Sequence, residues 1–187
     1  ELILSALADC FDVVSITDVF KFNGGRDLTG YEDGTENPTG QDAQDAALMD
    51  DGSSIVAVQK WQHNLRHFAS LSEDDQDNII GRRLSDNVEF EGSPASAHVK
   101  RTAQESFDPE AFMVRRSMPY SDGEYAGLMF VCFANSTLPF NQQMNRMVGG
   151  EDGITDGLFQ FSQPLTGGFY WCPPIKNGQL DLSKLSI

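Results

Sequence analysis

Residues 54–65 (SIVAVQKWQHNL) alternate. Ile55, Ala57, Gln59 and Trp61 fall on one face and Val56, Val58 and Lys60 on the other, which predicts a strand that turns polar toward its end. Ser72 followed by Glu73, Asp74 and Asp75 predicts a helix start, because a hydroxyl caps free N–H groups and carboxylates suit the positive end of the helix dipole. That helix is expected to run to about Arg83. Residues 84–110 show no regular period and contain His98. Two strand-like runs follow, 111–118 (AFMVRRSM) and 126–134 (AGLMFVCFA), joined by PYSDGEY. Leu138, Met144 and Met147 share one face of a helix predicted over 138–148. GGEDGITDG then makes a turn, and GGFYWCP predicts a last short strand. Upstream, residues 24–53 are rich in turn residues and read as a loop; at that length a loop in a compact domain is uncommon unless it is functional or disordered.

The order strand, helix, strand, strand, helix, strand predicts an α+β fold: the ferredoxin-like βαββαβ antiparallel sheet with helices on one face. The expected division is an N-terminal remnant and loop over 1–53 and the ferredoxin-like domain over 54–187. The chain carries 28 acidic against 13 basic residues, a net charge of −15, which argues against nucleic acid as a partner because phosphate binding needs a clustered basic stripe. No apolar run approaches the roughly 20 residues that cross a bilayer, and the opening ELILSALADCFDVV has neither the basic start nor the small-residue cleavage site of a secretory leader. The first residue is Glu rather than Met, so a fragment or a processed chain is expected. The three cysteines are far apart and form no CxxC pair, which fits reduced core thiols in a cytoplasmic protein.

Three places invite chemistry. Asp33, in Gly30-Tyr31-Glu32-Asp33-Gly34-Thr35, reads locally as a turn aspartate, although a buried aspartate there could act as a base. His98 stands outside any amphipathic element and by itself reads as a surface or core histidine. His63 and His67 are four apart, but the segment reads as strand and no carboxylate or cysteine completes a metal site. Arg115 and Arg116 lie on a strand among apolar residues, so alternation turns one toward the core, where an arginine needs a partner or an anionic ligand.

Together these features resemble one family. The run Arg26-Asp27-Leu28-Thr29-Gly30-Tyr31-Glu32-Asp33-Gly34-Thr35-Glu36-Asn37-Pro38 resembles the GxxDG loop of the dye-decolourising peroxidases. The strand and helix that follow, Ala97-His98, the strand Arg115-Arg116-Ser117-Met118-Pro119-Tyr120, and Asp156-Gly157-Leu158-Phe159-Gln160-Phe161 with Leu165-Thr166-Gly167-Gly168 are similar to its later blocks, in the same order. The resemblance covers about residues 20–175 and implies the C-terminal half of such a protein, within the dimeric α/β-barrel superfamily.

What the resemblance implies is specific. The cofactor is haem b (iron protoporphyrin IX), with His98 as the proximal iron ligand and Asp156 as the acidic partner of its other nitrogen. Asp33, on the opposite side, takes a proton from hydrogen peroxide and returns it to the departing oxygen. That implies an acidic pH preference provided burial does not raise its pKa far. Arg115 stabilises the negative charge of O–O cleavage and meets a haem propionate. Gly34, Thr35 and Ser117 join the pocket, Ser117 on the same side as Arg115. Leu128 and Phe130 cover the haem, and Lys100 and Arg101 are possible propionate contacts. Trp61, Tyr120, Tyr125, Tyr170 and Trp171 could relay electrons from a small aromatic reductant such as a dye or phenol. A homo-oligomer is expected, with no nucleic acid and no membrane. Only residues 1–32 precede Asp33, whereas members carry two ferredoxin-like halves; the alternative reading is therefore a non-catalytic haem-binding or dimerising module. Ser121 also stands where the family often has glycine.

Overall fold

The structure is a computed structural model that describes residues 2–185; the outermost ends of the two expected segments, Glu1 and residues 186–187, lie outside the described residues. The elements in chain order are α1 (Leu2–Leu7), α2 (Gly40–Ala47), β1 (Ser54–His63), α3 (Leu65–Ser70), α4 (Glu73–Ile80), α5 (His98–Arg101), β2 (Val114–Arg115), β3 (Met118–Ser121), β4 (Ala126–Ala134), α6 (Leu138–Met147), β5 (Ser162–Cys172), β6 (Ile175–Lys176) and β7 (Gln179–Leu180). β1 pairs antiparallel with β4 on one side and β5 on the other, while β2 and β3 share a single strand position beside β4. With β2 and β3 counted as one strand, this is the antiparallel βαββαβ sheet of the ferredoxin-like fold.

The alternation of β1 decides which face does what. Ala57, with Cys132 and Ala134 of β4 and Met113, forms one buried cluster, against which Phe130 of β4 and Phe140 of α6 pack. Farther along the same face, Trp61 and His63 are buried. A second cluster joins Tyr31, Phe68, Ile79, Ile80 and Phe161, so it ties the 24–38 loop to α3, α4 and the start of β5.

Several boundaries differ from the sequence expectation, each for a local reason. α4 begins as expected, with the Ser72 hydroxyl accepting the Asp75 N–H at 3.1 Å. It ends at Ile80 and not at Arg83, because Gly81 caps it in the left-handed conformation (φ 92°); a side chain there would collide with Val99, next to His98. Arg82 lies beyond the helix and pairs with Glu36 and Glu89. The run 111–118 is a strand only in part: Gln104 holds the backbone N–H groups of Ala111 and Met113, and Gln143 donates to the Ala111 carbonyl, so these groups are unavailable to a sheet ladder. β5 is eleven residues long where a short strand was expected. Its first half is an edge with exposed Gln163, Pro164, Leu165 and Thr166, which leaves no apolar alternation to read. α2 lies within the run read as loop; it buries only Ala46, and the Asn135 N–H fixes it by donating to the Ala46 carbonyl.

Candidate functional site

A cavity lies between the helix-covered face of the sheet and the 24–38 loop, enclosing about 910 Å³ of atom-free space including its open mouth. Gln59, Trp61, Leu128 and Phe130 form its sheet wall, and Phe140, Met144 and Met147 of α6 close it from above. Asp33, His98 and Arg115 all line it. Sequence separation is large, and three local devices bring them together.

The first device is a helix cap. His98 opens the one-turn helix α5, and the Gly157 N–H donates to the Ser96 carbonyl at 2.7 Å just before it. A Cβ at Gly157 would lie 3.2 Å from the Ile79 and Ser96 carbonyl oxygens, so glycine allows this close approach without displacing them. Asp156 caps the 3-10 turn Gly157–Gln160: its Oδ1 accepts the Leu158 N–H at 2.8 Å, and its Oδ2 lies 2.8 Å from His98 Nδ1. Asp156 is 2% exposed, so the carboxylate is committed to these two donors. Among the described residues, His98 Nε2 has no hydrogen-bond partner. Burial works against a charged His98, but the charge and hydrogen bond of Asp156 outweigh it and raise the imidazole pKa.

The second device is an amide that imitates a strand. Asn37 Oδ1 accepts the Arg115 N–H at 2.7 Å, and its Nδ2 donates to the Arg115 carbonyl at 3.0 Å. β2 is the sheet edge, so Asn37 supplies the partner an edge strand lacks and fastens the Asp33 loop against Arg115. Arg115 Nε is buried without a partner. Asp33 has surface open to the cavity but sits deep among protein atoms. That burial raises its pKa; Arg115 partly offsets the rise, and Asp27 adds to it.

The third device lies at the side wall. Tyr31 donates to Asp77 Oδ1 at 2.5 Å, and Asp77 also accepts the Leu84 N–H, which anchors the loop on α4. Asp27 accepts the N–H and hydroxyl of Thr29 and faces His63 Nε2 at 3.3 Å; burial raises its pKa, and His63 and Thr29 lower it by more.

Other expected pocket residues lie elsewhere. Ser117 is not on the cavity: regular strand geometry lapses at Arg116 and Ser117, and the Ser117 hydroxyl accepts the Val131 N–H in the ladder. Thr35 borders an outer groove with Glu36 and Asn37, and Gly34 provides a left-handed turn (φ 70°) and an N–H for Asp33. Arg101, expected as a propionate contact, is not on the cavity: it is buried, pairs with Asp152 at 2.7 Å and donates to the Arg146 carbonyl. Lys100 donates to the Ser93 carbonyl. Of the aromatic residues, Trp61 lines the cavity, Tyr120 is buried beneath Lys60, and Tyr125 and Tyr170 are exposed. Sequence reasoning gave no role to Asp27 and Asn37 and weighed His63 only as a metal ligand, with His67. For His63 a signal existed, since it continues the face of Ala57, Gln59 and Trp61. No metal-holding group of three or more His, Cys, Asp or Glu occurs among the described residues, and no described helix is long and apolar enough to cross a membrane.

Comparison with known proteins fits this geometry to a family. A family model described as "Dyp-type peroxidase, C-terminal" matches residues 24–177. The chain is 35% identical to a dye-decolorizing peroxidase of Mycobacterium tuberculosis, covering 92% of this chain and 55% of that protein. It is 32% identical to one of Rhodococcus erythropolis, covering 92% and 54%. Among solved structures, a dye-decolorizing protein from V. cholerae superposes with a TM-score of 0.83 at 35% identity, over 91% of this chain and 59% of that one. A Rhodococcus jostii RHA1 DypB variant in complex with heme gives 0.86 at 31%, over 92% and 60%. The chain spans about half the length of the curated relatives it matches.

Proposed function

The chain belongs to the Dyp-type peroxidase family, of which it matches the C-terminal part, and from that premise we propose that it carries the haem-binding and peroxide-handling site of a haem peroxidase. The observation that carries this reading is the convergence of Asp33, Arg115 and the Asp156-held His98 on one cavity.

The donor set fits haem b. A histidine whose Nδ1 is held by a carboxylate has its lone pair on Nε2, and the carboxylate raises its basicity as a ligand. The partnerless buried Nε of Arg115 asks for an anion, which a propionate or a peroxide oxygen supplies. Apolar cover comes from Leu128, Phe130 and Phe140. His98 would hold the iron, and the bound haem supplies the two-electron reduction of hydrogen peroxide.

Around it the chain moves protons and places charge. Asp33, as a carboxylate, accepts a proton from one peroxide oxygen and delivers it to the other, which leaves as water. Arg115 is a fixed cation beside it and stabilises the negative charge that builds as the O–O bond breaks. Reducing equivalents come from a small aromatic molecule such as a dye or phenol, and the cavity residue Trp61 is the candidate for receiving them.

The test is Asp33→Asn in protein loaded with haem. Peroxide-dependent dye bleaching should fall by roughly 10²–10⁴-fold, the range for a positioned proton-transfer group, while haem absorption is retained. Undiminished bleaching would remove Asp33 from the mechanism. A second reading, a haem-binding or self-associating module without turnover, is favoured by the share of the relatives that the chain spans. It predicts haem absorption with no bleaching in the unaltered chain.

A further inference from the structure

Past Trp61, the next residue on the cavity face of β1 is His63, placed opposite Ser162 of β5 in the sheet register. Its ring is buried against Phe161. Nδ1 lies 2.6 Å from Ser162 Oγ, and Nε2 lies 3.3 Å from Asp27 Oδ2. Ser162 is 3% exposed, and Asp27 Oδ1 is taken by Thr29, which leaves Oδ2 for the ring. Three polar groups therefore form an unbroken hydrogen-bonded line from Ser162 through His63 to Asp27.

The two ends of the line differ. Asp27 borders the cavity that holds Asp33, whereas Ser162 borders a separate groove on the outer surface with exposed Glu124, Gln160 and Gln163. His63 borders both. Apolar residues of similar volume would serve stability about as well as a buried polar line does, so packing alone gives no reason for these three groups. The ring is also the one group in the wall able to release a proton from one nitrogen while receiving one at the other.

Resting on the peroxidase reading, we propose that Ser162, His63 and Asp27 form a proton path between the outer groove and the catalytic cavity. Reduction of one peroxide to two waters takes two protons along with two electrons from the reductant, and this line offers those protons a route through the wall beside the open mouth. Along the path only O–H and N–H bonds change. A groove water gives a proton to Ser162 Oγ as the Ser162 proton passes to His63 Nδ1. The proton on Nε2 passes to Asp27 Oδ2 and on to a cavity water or Asp33; the ring is left protonated on Nδ1, and a half-turn flip about its Cβ–Cγ bond, which exchanges the two nitrogens, restores the start. His63, Ser162 and Asp27 are positioning residues that act through Asp33.

The test compares His63→Gln and Ser162→Ala with the unaltered chain, all loaded with haem. Gln retains hydrogen bonds on both sides but cannot pass a proton from one to the other. Turnover in His63→Gln should fall roughly 10²-fold, the lower end for a proton-transfer group, with unchanged haem absorption and a larger solvent deuterium isotope effect. Ser162→Ala should show the same effects more weakly, and it carries the test should the glutamine variant fail to load. Unchanged turnover and isotope effect in a loaded variant would overturn the path. A second readout needs neither haem nor turnover: exchange of the His63 ring N–H with deuterated solvent, followed by NMR on the haem-free chain, should slow in Ser162→Val. If the unaltered loaded chain bleaches nothing, the peroxidase reading fails, and this exchange still judges the path: unchanged exchange overturns it.

Discussion

Replacing Asp156 by asparagine changes one atom and should disable the iron ligand by moving a proton across its ring. In the native arrangement Oδ1 accepts the Leu158 N–H and Oδ2 faces His98 Nδ1, both at 2.8 Å. An asparagine must leave its carbonyl on Leu158, since the opposite orientation sets an NH₂ against an N–H. Its NH₂ then faces Nδ1 and requires a lone pair there, which drives the ring proton to Nε2, the atom that must be bare to bind iron. Keeping the useful tautomer instead leaves two buried donors opposed, at about 1–3 kcal/mol. Loss of such a supporting group costs about 10–100-fold in metal affinity, or about 1.4–2.7 kcal/mol. Haemin titration followed at the Soret band should show this weakening in Asp156→Asn, at least as large as in Asp156→Ala, which merely leaves the tautomer free. An asparagine variant with native affinity and spectrum would refute the tautomer argument.

Two other perturbations test the cavity from different sides. Arg115 favours the ionised form of Asp33, and Asp33 works as a base only when ionised; Arg115→Leu should therefore move the acid limb of the pH–rate profile to higher pH, and a limb that stays or moves down contradicts the pairing. Tyr31→Phe removes a buried hydrogen bond to the Asp77 carboxylate; thermal unfolding should report a loss of about 2 kcal/mol, roughly 4–8 °C in Tm for a chain of this size.

The sequence carried the frame of the sheet well because β1 and β4 are central strands with strong apolar content, and their limits agree with the structure to within a residue or two. Edges were poorly legible. β5 has one pairing partner and an exposed first half, and the Ala111 N–H is spent on the Gln104 carbonyl, the Met113 N–H on the Gln104 side chain and the Ala111 carbonyl on the Gln143 side chain. The grouping of Asp33, His98 and Arg115 came from resemblance, not periodicity, because the devices that assemble them are caps and amide bonds without a period. Ser117 shows the opposite failure: two-residue alternation put it beside Arg115, and one hydroxyl in the ladder turned it away. Arg101 was expected to meet a haem propionate, and sequence could not reveal that Asp152 engages it instead.

The central claim is that His98 binds iron in the cavity it shares with Asp33 and Arg115, and a haemin titration of the unaltered chain beside His98→Ala addresses it most directly. The account predicts a Soret band characteristic of histidine ligation in the unaltered chain and its loss in His98→Ala, with the far-ultraviolet circular dichroism of both chains alike. Identical Soret spectra and haem affinities in the two chains would contradict it.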